Sequence, residues 1–221
     1  MKNWRIFLFL NKKLCVMKNF KAFLPFLATI VAFPSCDSGA PLASQDTIQE
    51  VLLTRRSIRK YKSEVPSRDT LEMIFKAGIY APSALNKQPW EVRVVDNPEL
   101  VKRFKDAIVA ANPDAPGDSF RGATVLVFIA NDLSNQYSEF DCGLLSENVM
   151  LSAHGLGVGS VCLGTPVRLL KAARGDAEVD ALMDRLAFSN GYDLFMCMGL
   201  GYPDETPAVK PRDETKVRFV E

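Results

Sequence analysis

The chain has 221 residues, 48% of them apolar, enough for one domain with a real core. Its formal charge of +1 conceals an asymmetry: residues 1–36 hold six Lys or Arg and no Asp or Glu, leaving 21 basic against 26 acidic side chains in the rest, a net of −5. A body of that sign, with no basic stripe interleaved with aromatics, excludes nucleic-acid binding by bulk charge, and a single histidine excludes multi-histidine metal sites.

The N-terminal stretch reads as a signal peptide in miniature. Met17-Lys18-Asn19-Phe20-Lys21 is a short cationic start, followed by twelve mostly apolar residues, Ala22 to Phe33, and then by Pro34-Ser35-Cys36. Twelve residues are too few to span a bilayer, which takes about 20. A small residue before Cys36 resembles a bacterial lipobox, although Phe33 and Pro34 depart from its usual form. That resemblance implies acylation of Cys36 and a lipid-anchored protein of the bacterial cell envelope, facing the periplasm. A simple secretory signal and a retained anchor are the alternatives, with a cytoplasmic location if the leader does not function. Met1 to Val16 lengthens the cationic region awkwardly, so Met17 is a candidate start. The organisation expected is thus a leader over 1–36, a tether over 37–45 and one folded domain over 46–221.

Within the domain, Ser44 to Thr54 has helical spacing, with Ile48, Val51 and Leu52 on one face. Ser67 is a cap for a second helix carrying Leu71, Ile74, Phe75 and Ile79, which Pro82 ends. Trp90 to Val95 alternates as a strand, and Asn97-Pro98 is a cap followed by a first-turn proline, opening a helix to about Ala110. Thr124 to Ala130 is a continuous apolar run, expected as a buried central strand. Tyr137 to Leu156 reads as a long helix whose Leu144, Leu145, Val149, Met150 and Leu151 cover more than one stripe, expected in the core on one flank and against a second subunit on the other. Val158 to Leu163 and Leu194 to Leu200 are further strands, with helices at Pro166–Ala173 and Val179–Ala187. Val217-Arg218-Phe219-Val220 is a lone strand-like run that needs a partner. Helices dominate and the few strands are scattered, so the class expected is a three-layer α+β domain.

Several tempting motifs fail. Gly155-Leu156-Gly157-Val158-Gly159 has the look of a dinucleotide fingerprint, but it follows a helix and has the wrong spacing. Gly155 and Gly157 read better as helix termination, and His154 as a helix-end cap. Cys142, Cys162 and Cys197 lie in apolar surroundings and read as inert buried thiols.

The chemistry concentrates in three places. Arg55-Arg56-Ser57-Ile58-Arg59-Lys60-Tyr61 and Lys210-Pro211-Arg212 are cationic clusters at opposite ends of the domain, and Pro82-Ser83-Ala84-Leu85-Asn86-Lys87-Gln88-Pro89-Trp90 is a turn-rich loop bearing two carboxamides. A phosphate needs several convergent donors, which arginine supplies in a rigid fork, and a polar heteroaromatic ring needs amide-type donors and acceptors. In this order the three pieces resemble the nitroreductase family, and the resemblance covers about residues 46 to 216. It implies a mixed sheet wrapped by helices, a homodimer with exchanged tails and bound FMN. It implies that NAD(P)H reduces the flavin and that a nitroaromatic, quinone or similar small acceptor takes the electrons, with no catalytic side chain.

The same resemblance implies residue roles. Arg55, Ser57, Lys210 and Arg212 would hold phosphate and ribityl chain, with Arg56 in the same turn, and Arg59 would stand beside the pyrimidine end of the flavin. Pro82, Ser83, Ala84 and Asn86 would reach the partner's flavin, with Gln88 orienting the loop. Leu163 and Gly164 would turn their backbone to the reactive flavin nitrogen, while Trp90 belongs to the core. The short Asn131–Gln136 segment leaves little chain for a substrate lid. Since an exported protein has little access to NAD(P)H, the alternatives are a specialised flavin reductase or dehalogenase with another donor, and a non-catalytic flavin- or ligand-binding lipoprotein.

Overall fold

A computed structural model describes residues 45–115 and 117–220; the leader, Cys36 and nearly all of the expected tether lie outside the described residues. Helices α1 (Gln45–Thr54), α2 (Arg68–Ile79), α3 (Pro98–Ala111), α4 (Ser138–Gly155), α5 (Thr165–Ala172) and α6 (Ala177–Arg185) alternate with strands β1 (Trp90–Val95), β2 (Val125–Asp132), β3 (Gly159–Leu163) and β4 (Tyr192–Gly201). Among the described residues no helix is long and apolar enough to cross a membrane.

Local chemistry sets the element ends. Ser67 accepts the Thr70 amide at the start of α2, and Asn97 accepts the Leu100 amide ahead of Pro98 at the start of α3. Helix α2 ends at Ile79 rather than at Pro82, because Tyr80 already donates its amide to the Ala77 and Gly78 carbonyls. Helix α4 stops where Gly157 takes a φ of +74° and Val158 donates to Ala153 O at 2.8 Å.

The strands form one sheet in the order β1-β2-β4-β3. Every neighbouring pair is antiparallel, and the parallel component expected of a mixed sheet is an isolated bridge between Ser57 and Ser160. Strand β2 is buried on both faces, which explains its unbroken apolar run. Leu126 and Phe128 point to one core, with Phe104, Ile108, Leu170 and Leu182 from α3, α5 and α6. Val125, Val127 and Ile129 point to the other, with Leu71, Ile74, Leu145 and Val149 from α2 and α4. The result is three layers, helices on both faces of an antiparallel sheet. The first core is built on aromatic contacts, with Phe104 and Phe128 ring centroids 4.7 Å apart and Phe120 edge-on to Phe128 at 5.9 Å. Truncating Phe128 to Ala would cost about 3–5 kcal/mol.

Two apolar faces expected to be covered are open in the single chain. Helix α4 buries Leu145 and Val149, yet Phe140 is 78% exposed and Leu144, one turn on, is also exposed. Val217, Phe219 and Val220 form no strand among the described residues and stand in solvent, with only a 3-10 turn at Glu214–Lys216 before them. Ile79 leaves the buried face expected for it and is exposed.

Candidate active site

The loop after α1 is pinned to the edge of the sheet. Ile58 donates its amide to Ser160 O at 3.0 Å, and its side chain lies on Gly159, where a Cβ would come within 2.9 Å of it. On the other side Lys62 donates to Tyr202 O at 2.9 Å and Asp204 to Lys60 O at 3.0 Å. The Tyr61 hydroxyl donates to Ile58 O at 2.6 Å. The chain that leaves β4 therefore runs beside the first cationic cluster and carries the second one to it.

The two clusters meet. Arg55, Arg56, Ser57 and Arg59 share a cavity of about 140 Å³ with Pro207, Ala208, Lys210 and Arg212. Arg55 Nε is buried without a hydrogen-bond partner, and Glu147 Oε1 stands 3.5 Å away, in ion-pair range only. Among the described residues Arg56, Arg59, Lys210 and Arg212 form no ion pair with a carboxylate. Arg56 Nη1 is engaged by the Leu53 and Arg55 carbonyls, both at 2.7 Å, so part of this guanidinium closes the C-terminus of α1. Five cations around a space that small, four of them without an acidic partner, fit a multiply charged anion such as a phosphate monoester.

The carboxamide loop lies apart from this cavity. Leu85, Asn86 and Gln88 all have positive φ, of 55°, 55° and 47°, a backbone state that costs non-glycine residues energy and clusters at functional sites. The loop compensates internally: Ser83 Oγ accepts the Gln88 amide at 3.0 Å, and Gln88 Nε2 donates to Asn86 Oδ1 at 3.2 Å. Pro82 and the tip from Leu85 to Gln88 are exposed, while Ser83 and Ala84 are half-buried. Leu85, 90% exposed, is the apolar tip. Ala84, Leu85 and Lys87 border a polar cleft of about 510 Å³ with Asp132, Ser134, Asn135, Gln136 and Tyr137. Trp90, next along the chain, is buried in the core beneath α2 and α4.

Leu163 ends β3 with its side chain in the core, and Gly164 follows at the surface as the cap of α5. A Cβ on Gly164 would meet no protein atom within 4 Å, so the space in front of this backbone is open.

Asp141 and Glu205, without a role in the sequence reading, and His154, read there only as a helix-end cap, support the site. Asp141, in the first turn of α4, is almost fully buried, and both its carboxylate oxygens lie within 3.3 Å of the Ala84 amide. Glu205 accepts the backbone amides of Arg59 and Lys60. His154 hydrogen-bonds Thr54 Oγ1 at 2.9 Å, and burial, then Arg55 and Arg56, hold its pKa below the usual imidazole value. None of these links has a local sequence signature, because each joins segments distant in the chain.

Cys142 and Cys197 are buried, as expected, while Cys162 is half-buried. Burial pushes Cys142 up to about 12 and Cys162 up to about 11, so neither is a thiolate at neutral pH.

The sequence pattern of the nitroreductase family matches residues 52–202. The chain belongs to the nitroreductase family. Several of its relatives are named as reductases or oxidoreductases. A CLA biosynthesis enone reductase of Lactiplantibacillus plantarum is 37% identical over 175 residues, 73% of this chain and 77% of the relative. An NADPH-flavin oxidoreductase of Vibrio harveyi is 32% identical over 179 residues, 74% and 68% of the two chains. Among solved structures, a nitroreductase with bound FMN from Desulfitobacterium hafniense superposes with a TM-score of 0.70 at 27% identity, covering 79% of this chain and 98% of that one.

Proposed function

We propose that the chain is an FMN-dependent oxidoreductase that takes electrons from NAD(P)H and passes them to a nitroaromatic, quinone or similar small acceptor. The observation that carries this reading is the convergence of both cationic clusters on one cavity. Arg55, Ser57, Lys210 and Arg212 would hold the FMN phosphate, and Arg59 would place a fixed positive charge beside the ring. FMN, once bound, supplies the electron-transfer chemistry. The protein's part is to bind and orient it, to stabilise negative charge through Arg59, and to leave Gly164 bare where the cofactor approaches.

The site would be completed by a second copy. Phe140 and Leu144 on α4, Leu85 on the loop tip and the tail at Val217–Val220 are apolar and exposed in one chain. A homodimer covers such surfaces and brings Ser83, Ala84 and Asn86 of one protomer to the flavin of the other. The proposal extends to the leader, where a lipid anchor on Cys36 would hold the domain on a membrane; replacing Cys36 with Ser should then move the protein to the soluble fraction.

The reading is tested on purified protein under anaerobic conditions. It should be yellow, and NADH or NADPH should bleach it, with colour restored by a nitroaromatic or quinone. Protein that holds FMN and is bleached by neither nucleotide would instead point to another donor or to a non-catalytic flavin carrier. Protein that binds no FMN at all would defeat the proposal.

A further inference from the structure

The segment bearing Arg55 to Arg59 is a loop crowded with like charge, and something must hold its backbone against that repulsion. Ladder bonds fix both flanks: Ile58 to Ser160 on the sheet side, and Lys60 and Lys62 to the Tyr202–Asp204 segment on the other. Between the flanks, the Arg59 and Lys60 amides have no backbone acceptor in that ladder. Both donate to one carboxylate oxygen, Glu205 Oε1, Lys60 at 3.2 Å. Glu205 is half-buried and pairs with no cationic side chain among the described residues. It also stands outside the ring of side chains around the cationic cavity. It lines instead a neighbouring cavity of about 440 Å³, behind Arg55 and Arg56 with Ile58 and His154.

We propose that Glu205 is the positioning residue of the phosphate site. Its carboxylate clamps the 59–60 backbone to the strand exit that delivers Lys210 and Arg212, so that the two cationic clusters face each other before any ligand arrives. A carboxylate suits this role for two reasons. Its hydrogen bonds to amides are charge-assisted and stronger than those of a neutral acceptor. Its negative charge also offsets the mutual repulsion of the five cations gathered nearby. Without it the 59–60 amides turn to solvent and the loop relaxes outward, which weakens contacts to phosphate in particular. This inference rests on reading the cavity as the FMN phosphate site.

The test compares Glu205→Ala and Glu205→Gln in the full chain. Dissociation constants for FMN and for riboflavin, which lacks the phosphate, are measured on flavin-free protein, and their ratio isolates the phosphate contribution. Glu205→Ala should shrink that ratio by roughly tenfold, and Glu205→Gln, which keeps an acceptor oxygen but loses the charge, should shrink it by less. Amide hydrogen exchange without ligand should quicken roughly tenfold at Arg59 and Lys60 in Glu205→Ala and by a smaller factor in Glu205→Gln. An equal loss of FMN and riboflavin affinity, or unchanged exchange at both amides, would overturn the proposal. A parent protein that binds riboflavin as tightly as FMN would instead sink the phosphate reading, and the exchange rates would still decide whether Glu205 holds the loop.

Discussion

The cationic cavity and the carboxamide loop are built on opposite principles. The cavity is complete in one chain: backbone ladders on both sides of residues 57–62 and the Glu205 carboxylate fix the cationic loop. The loop at 82–88 is rigid in itself, through Ser83, Gln88 and Asp141, but its tip projects into solvent with Leu85 uncovered. The difference teaches how such a site divides its labour. Charge recognition needs several cations held close against their own repulsion, which a well-tethered backbone provides. Contact with a flat ring needs surface more than charge, and surface can be supplied by a second copy.

The comparison breaks most sharply at the cavity. Arg212→Ala should weaken FMN binding by about ten- to a hundredfold, roughly 1.5–3 kcal/mol, because one charge-assisted contact to phosphate is lost. Arg55→Ala should do the same, and fluorescence titration of flavin-free protein reads both. Retention of parental affinity in both variants would show that the cations serve another ligand.

On the loop side, Asp141→Ala leaves the Ala84 amide without its acceptor and should cost about 1–3 kcal/mol in denaturant unfolding. The same variant should loosen the three left-handed residues, so FMN affinity falls in the dimer while the phosphate contribution, measured against riboflavin, does not. Next in size is Phe140→Asp. In the proposed homodimer, a charge placed on the exposed flank of α4 should raise the dimer dissociation constant about tenfold or more in analytical ultracentrifugation. A dimer unchanged by this substitution would move the interface elsewhere.

The smallest effect is on pH dependence. His154 is held below its usual pKa by burial and then by Arg55 and Arg56, so the unfolded chain binds the extra proton more readily than the folded one. The stability this group contributes is therefore complete above the unfolded value, near 6.5, and declines as pH falls from there toward the folded value. The melting temperature should drop modestly between pH 7.5 and pH 5.5, and His154→Gln should reduce that drop. A larger drop in the variant would contradict the sign.

Much of this was legible in the sequence where one residue dictates one local act. Ser67 and Asn97-Pro98 marked helix starts, the run from Thr124 to Ala130 marked a buried central strand, and Gly157 marked a helix stop. The two cationic clusters were paired through the resemblance to the nitroreductase family, and they do line one cavity. What escaped was set by non-local pairing. The wholly antiparallel strand order leaves no trace in a strand such as β2, whose two faces are equally apolar. Asp141 looks like an ordinary first-turn acid and Glu205 like a loop acid, since an acceptor of distant amides needs no particular neighbours in sequence. The tail at Val217–Val220 has strand chemistry but forms no strand among the described residues.

The central claim is that each site joins the cationic cavity of one protomer to the carboxamide loop of its partner, and mixed dimers test it most directly. One chain would carry Arg55→Ala with Arg212→Ala, which damages only its cavity; the other would carry Asn86→Ala with Asp141→Ala, which damages only its loop. Each homodimer should bind FMN weakly at both sites. The mixed dimer should recover one site of parental affinity, made from the intact cavity of the second chain and the intact loop of the first, alongside one doubly damaged site. Isothermal titration giving one tight FMN per mixed dimer is the predicted result. A mixed dimer with no tight site would contradict the account.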